Sequence, residues 1–159
     1  MRGHLQPANI VEMTINEFEE VFVTSFEASR TRFIIFEEYK RYIQDLREVL
    51  KSPFMQWIDG SFINNRTLEP NDIDFVTIID YDIYLTYEQE IDKRFNKFSA
   101  PLFYEKLDAY ILKVYPNTHE FYMAYKSDYA YWYDWFSSSK KNIRTNQRFN
   151  KGFIQLNFD

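Results

Sequence analysis

Between Arg30 and Leu50, apolar side chains recur three to four positions apart, at Ile35, Phe36, Tyr39, Tyr42, Ile43, Leu46, Val49 and Leu50. Glu37, Glu38, Lys40, Arg41, Asp45 and Arg47 lie among them, so the stretch predicts an amphipathic helix that Ser52-Pro53 stops. Upstream, Thr14-Ile15-Asn16-Glu17 has the spacing of a capping box and predicts a short helix over 15–23. The apolar run 54–58 predicts a strand entering a turn at Asp59-Gly60-Ser61. Residues 73–79 are apolar at successive positions, the pattern of a central strand buried on both faces. Thr86-Tyr87-Glu88-Gln89 reads as a second capping box, opening a helix with Ile91, Phe95 and Phe98 on one face and an end near Pro101. A third strand over 107–114 ends before Pro116, an aromatic-rich helix follows over 127–136, and 152–158 alternates with period two. The order of elements predicts an α+β fold, a mixed sheet with helices packed on it.

Composition narrows the class. At 159 residues the chain has the size of one domain, 1–159, and 45% apolar with 20% aromatic residues excludes a disordered chain. The formal charge of −5 argues against a general polyanion binder, yet no Asp or Glu lies between Trp135 and Phe158. That stretch holds Lys140, Lys141, Arg144, Arg148 and Lys151, which suits either a solvated loop or recognition of phosphate. The absence of cysteine excludes disulfides and thiolate zinc sites. With no apolar run resembling a signal peptide or a membrane span, the expected location is the cytoplasm, away from membrane.

The chemistry concentrates at the head of the 73–79 strand. Side chains alternate across a strand, so Asp72 and Asp74 share a face and predict a site for an oxygen-ligated cation such as Mg²⁺. Upstream, Gly60 allows close approach of backbone to phosphate and Ser61 adds a hydroxyl donor. Arg66, in the intervening loop, and Lys151, in the basic stretch, are candidate phosphate contacts. Asp80-Tyr81-Asp82 repeats the spacing at the far end of the strand, where a solvated strand end is the simpler reading. His4 and His119 have no metal-ligand spacing, and the rings of 129–136 suit a core better than a base-stacking platform.

Trp57-Ile58-Asp59-Gly60-Ser61-Phe62 followed by Glu69-Pro70-Asn71-Asp72-Ile73-Asp74 resembles the signature of the DNA polymerase beta-type nucleotidyltransferase superfamily. Asn16 to Glu20, Leu107 to Tyr110, Asp128 to Trp132 and Lys151 to Ile154 resemble segments of a family of small prokaryotic proteins with that fold, so the likeness covers nearly the whole chain. The resemblance implies a minimal polymerase beta-like fold, with Asp108 as a third carboxylate beside Asp72 and Asp74. It further implies two Mg²⁺ ions held by these three residues, an NTP such as ATP as substrate, and transfer of NMP to a hydroxyl of RNA, protein or a small molecule. Asp108 would also take the acceptor's proton. A partner protein from the same operon, in a toxin–antitoxin or phage-defence setting, belongs to the same expectation. The alternative is a nucleotide-binding or regulatory module of the same fold with little or no turnover.

Overall fold

A computed structural model describes residues 3–159. The helical periodicity of the longest apolar stretch becomes helix α2, Arg32–Leu50, whose inward face buries Ile35, Phe36, Tyr39, Tyr42, Ile43, Leu46 and Leu50. The preceding helix α1, Ile15–Phe22, starts in the predicted capping box: Glu17 N–H donates to Thr14 Oγ1 at 3.2 Å, and Thr14 N–H donates to Glu17 Oε2 at 2.7 Å.

Five strands form one mixed sheet in the order β1-β5-β2-β3-β4. They are β1 (Ile10–Met13), β2 (Phe54–Asp59), β3 (Ile73–Asp80), β4 (Leu107–Val114) and β5 (Phe153–Phe158). β2 is antiparallel to both β3 and β5, whereas β3 runs parallel to β4 and β1 parallel to β5. The fold class is therefore α+β. Alternation along β3 sends Phe75 and Thr77 to one face, where Tyr39 and Tyr42 of α2 meet the Phe75 ring edge-on at 5.2 and 5.0 Å. On that face Tyr39 Oη donates to Gln56 Oε1 at 2.5 Å and Gln56 Nε2 to Thr77 Oγ1 at 2.9 Å, so these three buried polar side chains satisfy one another. Each large side chain buried there contributes roughly 1.5–3 kcal/mol.

The other face lies under helix α5, Tyr122–Ser137. Trp57 of β2 packs against Tyr129 at 4.9 Å, Tyr110 of β4 against Trp132 at 4.6 Å, and Phe153 of β5 against Phe136 at 5.9 Å. Helix α5 begins earlier than the predicted 127, where His119 Nδ1 accepts the Phe121 N–H at 3.1 Å.

Three further elements depart from expectation. β1 lacks a readable pattern because it is a short edge strand, defined by its parallel register with β5. β3 passes without a break into helix α3, Tyr81–Thr86, because no Gly or Pro punctuates the junction. The second capping box does not form: Thr86 Oγ1 donates back to the Asp82 carbonyl at 2.8 Å and closes α3, so helix α4, Glu88–Arg94, starts without a side-chain cap. Phe98 lies beyond α4 and is 90% exposed, so it is not part of the buried face with Ile91 and Phe95.

Candidate active site

The strand register decides which acidic residues meet. Asp59 at the end of β2 is the cross-strand partner of Asp74 on β3, and Asp74 is the partner of Asp108 on β4. Neighbouring strands lie about 4.8 Å apart, so these carboxylates form a row across the sheet, with Asp72 just before β3 on the same side. The row occupies the sheet face that α5 covers farther along, and it stays half-buried at Asp72, Asp74 and Asp108.

Gly60 follows Asp59 with φ +85°, a conformation that side chains disfavour. A Cβ at this position would overlap Asp74 Oδ2 and lie 2.8 Å from its Cγ. The glycine is thus required twice, by the turn and by the seat of the Asp74 carboxylate. The chain continues as turns rather than a helix, with Asn64 N–H donating to the Ser61 carbonyl at 3.2 Å. Among the described residues, the N–H groups of Ser61, Phe62 and Ile63 donate to no protein acceptor.

A buried arginine fixes this loop. Arg32, 1% exposed at the start of α2, donates to the carbonyls of Phe22, Phe62 and Thr67 at 2.6 Å and of Asn64 at 3.2 Å. Its guanidinium also lies 3.8 Å from the Phe26 ring centroid. Burial draws its pKa down to about 10, with the charge of Glu69 opposing. Glu69 caps the N-terminus of α2, accepting from the N–H groups of Arg30 and Thr31 and from the Ser29 and Thr31 hydroxyls. Helix α2 and the 60–69 loop therefore hold each other.

The carboxylates differ in environment. Burial pushes Asp74 up to about 7, reinforced by the negative charges of Asp72, Asp108 and Asp59, with Lys140 opposing. Asp72 is raised first by burial and then by Asp108, while Lys106 and Lys140 draw it back. Asp108 Oδ2 accepts from Tyr110 Oη at 3.2 Å, and the Tyr110 hydroxyl in turn meets the Lys97 ammonium. Asp59 is 7% exposed, and both of its oxygens accept from Lys151 Nζ. Burial raises the Asp59 carboxyl and Lys151 pulls it back part of the way.

The predicted residues thus separate. Gly60, Ser61, Asp72, Asp74 and Asp108 come together at one end of the sheet. Lys151 is only 8% exposed, and its ammonium is engaged by Asp59, so it is no free phosphate contact. Its partner Asp59 was read only as a turn residue; a buried lysine needs an acid, but the acid lies 92 positions away. Arg66 is exposed in the loop, its N–H donating to Asn64 Oδ1 at 2.9 Å. Asp80 and Asp82 are exposed at the opposite end of β3, and His119 packs in a ring cluster with Tyr81 and Tyr115.

Among the described residues, no three acidic or histidine side chains are grouped so as to enclose a metal ion. The row is open rather than a closed cage. Its donor set nonetheless fits Mg²⁺, which uses one or two carboxylates together with water and substrate phosphate. Burial raises Asp74 most, and the repulsion that adds to it is a charge imbalance that a divalent cation relieves.

Residues 1–157 match DUF6932, described as a family of unknown function. The chain belongs to that family. Neither the curated proteins nor the solved structures provide a match. Among the described residues no helix is long and apolar enough to cross a membrane.

Proposed function

We propose that the chain is a Mg²⁺-dependent nucleotidyltransferase in which an acceptor hydroxyl attacks the α-phosphate of an NTP, forming the bond to NMP as the bond to pyrophosphate breaks and pyrophosphate leaves. The observation that carries this reading is the pairing of Asp74 with Asp108 on adjacent parallel strands, with the Gly60 turn pressed against Asp74. Asp72, Asp74 and Asp108 would hold Mg²⁺, which supplies positive charge to the triphosphate and acidity to the acceptor hydroxyl. Gly60 leaves the turn without a side chain, and the unpaired amides after it, with the Ser61 hydroxyl, offer donors to phosphate oxygens. Lys140 and Lys106, whose charges reach Asp72, add positive potential for the triphosphate. Asp108 accepts the acceptor's proton, with the Tyr110 hydroxyl orienting its Oδ2.

The test is incubation with each α-labelled NTP, Mg²⁺ and RNA, protein or cell extract, followed by detection of transferred label. Asp74→Asn should lower transfer at least about 100-fold, the order seen when a charge-stabilising group is removed. Equal transfer by wild type and Asp74→Asn overturns the proposal. NTP binding by calorimetry without any transfer would favour the nucleotide-binding module instead.

A further inference from the structure

One turn of α5 faces away from the sheet and presents rings to solvent. Tyr131 and Trp135 are 56% and 48% exposed, and their rings stack at 6.1 Å with a 22° interplanar angle. Exposing two large rings in parallel forgoes their burial, so the helix gains nothing for its own core from this pair. The pair also connects to the carboxylate row. Tyr131 meets Trp132 at 5.5 Å, Trp132 meets Tyr110 at 4.6 Å, and Tyr110 donates to Asp108.

Beside these rings stands a basic hairpin. Ser138 and Asn150 form an antiparallel bridge, Ser139 N–H donates to the Phe149 carbonyl at 2.8 Å, and Asn142 N–H to the Gln147 carbonyl at 2.9 Å. Asn146, at φ 54°, turns the tip. The segment carries Lys140, Lys141, Arg144 and Arg148 and no acid. Arg148 reaches Asp134 at 3.4 Å, which holds the hairpin against the turn of α5 that bears Trp135. At the root of the hairpin, the charge of Lys140 reaches Asp72 and Asp74. Cations of one hairpin therefore stand both near the carboxylates, at Lys140, and beside the turn that bears the exposed rings, at Arg148.

We propose that the Tyr131–Trp135 pair and the 138–150 hairpin bind single-stranded nucleic acid, with bases stacking on the rings and phosphates on Lys141 and Arg144. Single-strand binders combine these two features, aromatic faces that accept any base and a cationic track for the backbone. A duplex hides its base faces, so it is disfavoured here. The inference deepens the nucleotidyl-transfer reading by naming its acceptor class, and it rests on that reading only for the role of the bound strand.

Fluorescence anisotropy of a labelled oligonucleotide of about 12 residues tests it, in EDTA and without NTP, so that binding is measured apart from transfer. Single-stranded RNA and DNA of the same sequence form the two arms. Wild type should bind a single strand more tightly than the matching duplex, quench its tryptophan emission on binding, and weaken with salt. Y131A/W135A should weaken binding about tenfold or more. K141A/R144A should flatten the dependence of log affinity on log salt by roughly 1.4, from two lost phosphate contacts on a single strand. Absence of single-strand binding at low salt, equal binding of duplex, or full affinity in Y131A/W135A each overturns the proposal. Transfer to a protein or small molecule together with no oligonucleotide binding would overturn this inference while leaving nucleotidyl transfer intact.

Discussion

Asp59 and Asp74 are cross-strand partners at the same end of the sheet, yet the fold treats their charges in opposite ways. Asp59 is sealed from water with the Lys151 ammonium on both its oxygens. Asp74, one strand away, faces two other carboxylates and has no ion pair among the described residues, and burial together with those charges pushes it up to about 7. A buried acid with an internal cation is complete within the chain. A cluster of acids without one invites a cation from outside, and this difference distinguishes a charge that holds the fold from charges arranged for a ligand.

Removing the cation from the sealed member should separate the two sites most strongly. Lys151→Met leaves Asp59 buried without its partner and should cost about 3–5 kcal/mol in urea unfolding at pH 8, where protonation of Asp59 relieves least. Asp59→Asn/Lys151→Met should recover part of that loss. Asp74→Asn, by contrast, should leave stability at pH 8 unchanged or raised, because it removes repulsion. If both single variants lose the same stability, the distinction between the two sites fails.

Arg32→Met comes next. It strands the carbonyl of Phe22 at the end of α1 and those of Phe62, Asn64 and Thr67 in the loop that follows Asp59 and precedes Asp74, and about 3 kcal/mol should be lost in the same assay. Gly60→Ala should have a smaller effect on stability, about 1–2 kcal/mol from its positive φ. Its Cβ displaces the Asp74 carboxylate, so transfer should fall at least tenfold, a split between stability and activity that Arg32→Met should not show.

The smallest expected effect is a pH slope. The Asp74 carboxyl has its pKa raised from 3.8 to about 7 in the folded state, so between these values the folded chain binds more protons than the unfolded one. Its contribution to stability is therefore present below about pH 4 and is lost as pH rises through 7. Asp74→Asn should flatten the fall in stability between pH 5 and 8 by roughly 1–2 kcal/mol, less than the full linkage of about 2.6 kcal/mol because water screens the half-buried carboxylate. Added Mg²⁺ should raise the melting temperature of wild type above pH 7 and should not raise that of Asp74→Asn.

Much of the fold was legible in the chain. The apolar periodicity gave α2 its extent, the capping box gave α1 its start, and the alternation at the C-terminus gave β5. Asp72 and Asp74 were legible as a pair by their spacing and Gly60 by its place after a strand, whereas Asp108 came only from the family resemblance and Asp59 carried no mark beyond its turn. Lys151 was misread, since a lysine among other cations carries no local mark of being buried. Tyr131 and Trp135 were read as core, because an aromatic-rich helix does not reveal which of its rings face the sheet; Trp132 and Phe136 do, and these two do not.

Local pattern places the elements along the chain and names the residues that could hold charge, because helix and strand periodicities and caps are properties of neighbouring residues. Tertiary structure alone decided that Asp59, Asp74 and Asp108 form a row, that Lys151 neutralises only the first, and that Arg32 gathers four carbonyls of distant segments. Strand register and the partner of a buried charge are set by contacts between residues far apart in the chain, which no local pattern encodes.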